Sequence, residues 1–170
     1  MELFEAIKGR YSVRAYQARA VEADKLERIL EAARQAPSGG NRQPWKFVVV
    51  RDAALRQKLV AACSDQAFVG QAPVVIAGVG QMPDRVMKCG VPGDPVDLAI
   101  AMEHIALAAT AEGLGTCWIG AFYQDQVRQL LGIPETCRVI EMMTLGYPAD
   151  KPKVSSRKAL AEIVCYDRFS

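Results

Sequence analysis

The chain has one histidine in 170 residues, and that scarcity removes whole classes of chemistry. A serine or cysteine nucleophile could draw its base only from His104, and a multi-histidine metal site is excluded. His104 lies in an apolar helical pattern, where a structural role is the simpler reading. The five cysteines (63, 89, 117, 137, 165) are 26, 28, 20 and 28 apart, so there is no Cys-x-x-Cys pair for zinc, iron–sulfur or dithiol chemistry. Charge of one sign is also lacking. Lys plus Arg at 21 against Asp plus Glu at 19 leaves +2, too balanced for a nucleic-acid binder. No apolar run approaches the roughly 18 residues of a membrane span, and Met1-Glu2-Leu3-Phe4-Glu5 carries acids where a signal peptide carries a basic head. These absences predict a soluble cytoplasmic protein with neither a nucleic-acid nor a membrane partner.

What remains is an ordinary globular composition, 51% hydrophobic and 24% charged. The length suits a single domain over residues 1–170, able to bury roughly 70% of its extended surface without staples. Leu3, Phe4 and Ile7, then Leu26, Ile29, Leu30 and Ala33, fall at helical spacing and predict two opening helices. Trp45–Val50, Val74–Val79 and Val139–Leu145 read as strands apolar on both faces, with Cys117–Ile119 as a shorter one. Asp52 can cap a helix over Ala53–Cys63, and a helix apolar nearly all round is expected over Val96–Glu112, closed by Gly113. A short helix is expected over Asp125–Leu131. Residues 80–95, rich in proline and glycine, read as a loop. Interleaved helices and strands argue an α/β or α+β layered fold with a buried sheet.

Three segments have residues suited to binding. In an extended Arg10-Tyr11-Ser12-Val13-Arg14, alternation puts Arg10, Ser12 and Arg14 on one face, two guanidinium forks and a hydroxyl that match a phosphate dianion. The same letters also suit an Arg10 that complements a helix C-terminus and a solvated Arg14. Pro37-Ser38-Gly39-Gly40-Asn41 offers paired glycines and short polar side chains for the edge of a polar ring or a polyol, or simply a helix-to-strand loop. Gly113 to Ala121 leaves backbone amides unobstructed at Ile119 and Gly120. Cys117 lies within it, with no base to activate the thiol. Gly78-Val79-Gly80 imitates the start of a dinucleotide fingerprint, but Pro83 follows and no helix opens there. Lys153, Arg157 and Lys158 form a basic cluster near the C-terminus.

Taken in order, Arg10 to Arg14, Ala36 to Trp45, Gly113 to Ala121 and Arg157-Lys158 resemble the FMN-dependent nitroreductase family over almost the whole chain. The resemblance implies a nitroreductase-like fold, a central mostly antiparallel or mixed sheet flanked by helices. It also implies an interlocked homodimer with two interfacial FMN sites, the segment from about 150 to 170 reaching across it. It assigns Arg10, Ser12, Arg14 and Arg157 to the phosphate grip on FMN, with Tyr11 also among the cofactor-binding residues. Pro37, Ser38, Gly39 and Asn41 match a loop reaching FMN from the opposite subunit, and Ile119 and Gly120 match the segment whose amide faces flavin N5. Where the family often places a lysine or amide near the pyrimidine edge, this chain has Asp65-Gln66-Ala67, so Gln66 is the candidate there. Residues 80–95 are short for the region where larger members build a lid. The implied activity is ping-pong oxidation of NADH or NADPH, with a nitroaromatic or quinone as acceptor. No catalytic side chain and no metal ligand is assigned. A reductive dehalogenase, an enone reductase, a flavin-fragmenting enzyme or a non-catalytic flavin- or nucleotide-binding protein would share these letters.

Overall fold

Val74–Gly80 can be apolar or glycine throughout because both of its faces are covered. The computed structural model of the chain describes residues 1–152 and 156–169, so Lys153 of the C-terminal basic cluster lies outside the described residues. Among the described residues, β1 (Trp45–Val50), β2 (Val74–Gly80), β3 (Gly115–Ile119) and β4 (Arg138–Gly146) form one sheet in the order β1-β2-β4-β3. Every neighbouring pair is antiparallel. The register of β2 on β4 slips between Gly78 and Val79. Gly78 faces Glu141, Val79 faces Val139, and Ile140 is the extra residue of a bulge.

The helices are α1 (Leu3–Gly9), α2 (Ala23–Arg34), α3 (Ala53–Ala62), α4 (Phe68–Gln71), α5 (Gly93–Ala111) and α6 (Gln124–Leu131). Val74, Ile76, Met143 and Leu145 turn one face of the sheet to Leu26 and Ile29 of α2 and to Leu98, Met102 and Ile105 of α5. Val75, Ala77, Met142 and Ile119 turn the other face to Leu59 of α3, Phe68 and Val69 of α4 and Val127 of α6. Each large side chain so buried contributes about 1.5–3 kcal/mol. Asp52 caps α3 as its position predicts, its Oδ1 accepting the Leu55 amide at 2.7 Å. His104 is structural: its Nδ1 lies 3.0 Å from the Ala32 carbonyl, tying α5 to α2. Among the described residues no helix is long and apolar enough to cross a membrane.

Several element boundaries differ from the sequence reading, and one short helix went unread. The central helix begins at Gly93 rather than Val96, because Pro95 occupies its first turn, where a missing N–H breaks no helical bond. β3 begins two residues earlier, at Gly115. The single turn of α4 is too short to leave a periodic signature.

Between α1 and α2 the chain is stitched to the edge of the sheet. Ser12 forms a parallel bridge with Thr116, and the Val13 amide donates to the Thr116 carbonyl at 2.9 Å. Tyr16 then bonds the Val13 carbonyl at 3.0 Å and Thr144 Oγ1 at 2.7 Å. The Ala149 amide donates to Ala15 at 2.9 Å, which draws the segment after β4 alongside.

Candidate functional site

With Val13 fully buried as the pivot, this stitching arranges the first motif. A cavity of about 310 Å³ opens between residues 10–14 and the segment after β4, lined by Arg10, Tyr11, Ser12, Arg14, Asp150, Lys151 and Arg157. Four cations and a hydroxyl therefore surround a space in which Asp150 is the only carboxylate lining residue. Arg10 Nε also lies 3.8 Å from Glu103 of α5. Tyr11 departs from simple alternation: it lines the cavity, and its hydroxyl donates to the Asp150 carbonyl at 2.9 Å. Burial, then the Asp150 charge, pushes the Tyr11 hydroxyl above its ordinary range. Thr116, the bridge partner of Ser12, keeps Oγ1 buried with no hydrogen-bond partner among the described residues. Forked donors, ammonium and hydroxyl groups form a donor set that fits a phosphate dianion. Asp150 and Lys151 were missed in the sequence. Lys151 adjoins the basic cluster, but nothing local marks Asp150.

β3 leads away from this cavity to Ile119 and Gly120. Gly120 is exposed, and a Cβ built there would meet nothing within 4 Å, so its backbone is open to a ligand. Gln66 is brought beside it, Nε2 donating to the Cys63 carbonyl at 2.8 Å and to the Ala121 carbonyl at 3.2 Å. Cys117 is buried and its thiol is pushed up by desolvation, so it is inert packing rather than a nucleophile. Glu141, on β4 beside Ile119, carried no sequence signal. Burial pushes its carboxyl up to about 7, against the pull of the Ile119 and Met142 amides.

Pro37, Ser38, Gly39 and Asn41 lie elsewhere. They lead into and form a 3-10 turn, Gly39–Asn41, docked at the start of α5, where the Gly39 amide donates to Asp97 Oδ1 at 3.0 Å. The first motif sits farther along α5: Arg10 pairs with Glu103, and a Cβ added at the neighbouring Gly9 would lie 3.9 Å from Thr110. None of Pro37, Ser38, Gly39 and Asn41 lines the cavity.

A layered sheet with an arginine-rich cavity at one edge defines a class of protein suited to an anionic ligand. The chain belongs to the nitroreductase family, whose family model matches residues 7–81 and 62–147. It is 31% identical to an NADH dehydrogenase of Thermus thermophilus, with 92% of each chain covered. An FMN reductase [NAD(P)H] of Bacillus subtilis is 27% identical, covering 88% of this chain and 67% of the relative. A crystal structure of a nitroreductase family protein from Clostridium difficile 630 superposes with a TM-score of 0.87 at 34% identity, covering 99% of this chain and 100% of that one.

Proposed function

We propose that the chain is an FMN-dependent NAD(P)H oxidoreductase that acts as a homodimer and delivers electrons to a small electron-poor acceptor such as a nitroaromatic or quinone. The observation that carries this reading is the cavity in which Arg10, Arg14, Lys151, Arg157 and Ser12 converge. FMN, when bound, supplies a ring that takes hydride from a reduced nicotinamide and passes it on. Arg10, Ser12, Arg14 and Arg157 would hold its phosphate, with the Tyr11 ring as one wall. Gly120 and Gln66 would meet the ring edge, and Ile119 would support that strand end from the core. Pro37, Ser38, Gly39 and Asn41 would come from the second copy, since none of them lines their own chain's cavity.

Exposed apolar side chains support a second copy. Phe4 is 82% exposed, and Leu3 and Ile7 of α1 and Val96 and Ile100 of α5 are also uncovered. In the C-terminal segment Leu160, Ile163, Tyr166 and Phe169 recur every third residue and are all exposed. So much apolar surface near both ends of a chain marks an interaction site.

The test is spectroscopic. Purified protein should show flavin absorbance that bleaches when NADH or NADPH is added without oxygen and returns on adding a nitroarene. Flavin that stays oxidised would leave a binding protein without turnover. A colourless preparation that takes up no added FMN would end the reading.

A further inference from the structure

The Gly39–Asn41 turn is conformationally demanding. Gly40 has φ +62°, and two residues with side chains, Asn41 at +51° and Gln43 at +49°, share the left-handed region. Bonds among its own atoms hold its shape. The Gln43 amide donates to Ser38 Oγ at 2.8 Å and Arg42 Nη1 to the Gly39 carbonyl at 2.7 Å. They do not set where the turn sits on the molecule.

The Gly39 amide bond to Asp97 supplies that placement. Asp97 is 3% exposed and pairs through Oδ2 with Arg85 Nη2. Arg85 also lies 3.7 Å from Asp94, which is 2% exposed and accepts the Met82 amide at 2.6 Å. Two buried carboxylates and one guanidinium thus join three separate pieces of chain: the turn, the loop 81–92 and the first turns of α5. The glycines agree with this arrangement. A Cβ at Gly93 would fall inside the Arg85 guanidinium, and one at Gly39 would lie 3.2 Å from Arg85 Nη1. Arg85 is packed so closely that a side chain at Gly93 would displace it, while one at Gly39 would require it to give by a few tenths of an ångström. Removing either partner would leave buried charge uncompensated.

We propose that Asp97, held by Arg85 and Asp94, is the positioning residue that aims the Ser38–Asn41 turn into the flavin site of the partner subunit, and so acts on FMN binding across the dimer. Because Arg85 stands on loop 81–92, the same cluster fixes that loop to the turn. This rests on the shared-site reading proposed above. Asp97 touches neither cavity lining nor ring edge; its effect passes through the Gly39 amide.

The experiment is complementation in mixed dimers, read by FMN content and visible circular dichroism of bound flavin. Asp97→Ala homodimers should bind FMN at least tenfold more weakly than wild type, as should Arg14→Ala homodimers. A dimer purified on two tags, one chain Asp97→Ala and the other Arg14→Ala, combines an intact cavity with an intact turn in one of its two sites. It should recover about half of the wild-type FMN content, with a wild-type dichroic band. If Asp97→Ala does not fold, Asp97→Ser, which leaves room for a bridging water, replaces it. Wild-type affinity in the Asp97 variant would overturn the proposal, and so would a mixed dimer as empty as its parents, because Asp97 would then act on its own chain. A wild-type dimer that binds no FMN would remove the underlying reading, and the proposal with it.

Discussion

Val13 is fully buried while Arg14 beside it is exposed, and that one-residue contrast makes an extended segment into a binding edge. Arg14→Ala should leave the buried pivot intact and weaken FMN binding by about 1.5–3 kcal/mol, the range for a hydrogen bond to a charged group. Fluorescence titration of the apoprotein measures it; unchanged affinity would take Arg14 out of the phosphate contacts. Glu141 makes a different prediction. Its carboxyl is raised from 4.5 to about 7, mainly by burial, so the folded chain keeps the proton that the unfolded chain gives up. Its contribution to stability is fully present below about pH 4.5 and is lost as the pH rises through about 7. Glu141→Gln, which is always neutral, should gain on wild type across that window by about 1–2 kcal/mol once solvent screening of a half-buried group is discounted. Urea melts at stepped pH would show it, and parallel stability curves would count against a buried neutral carboxyl.

At the scale of elements, the decisive contact is the crossing of residues 12–13 over the start of β3. A Cβ at Gly115 would collide with the Val13 side chain and lie 3.1 Å from Pro148, both backed by packed structure. Gly115→Ala should cost about 1–3 kcal/mol as overpacking and push the Arg10–Arg14 segment off the strand, lowering melting temperature and FMN affinity together. Loss of stability with full affinity would mean the cavity does not depend on that crossing. These elements were largely legible in the sequence. β1 came out with the same bounds, because Trp45 to Val50 is an uninterrupted apolar and β-branched run apart from Lys46, closed by the Asp52 cap. The start of α5 was not, since Pro92, Gly93 and Pro95 are loop letters until the first-turn tolerance for proline is considered.

At the scale of the whole molecule, no residue of the Ser38–Asn41 turn lines the cavity, and the apolar ends remain uncovered. If two copies complete each site, dilution through the dimer dissociation range should release FMN in step with loss of the dimer. Light scattering coupled to flavin fluorescence polarisation tests this. A monomer that retains flavin would place the site within one chain.

By itself the sequence determined the four strands, the main helices and the basic character of the Arg10–Arg14 edge, because each of these is a local pattern of side-chain spacing. It also determined that the chain has no multi-histidine site and no Cys-x-x-Cys pair. Only the tertiary structure decided that Asp150 and Lys151 join the arginines, that burial pushes the Glu141 carboxyl up to about 7 beside Ile119, and that Arg85 pairs with Asp94 and with Asp97, which holds the Gly39–Asn41 turn. Those facts depend on pairings between distant parts of the chain and on desolvation, and neither has a periodic signature along a single sequence.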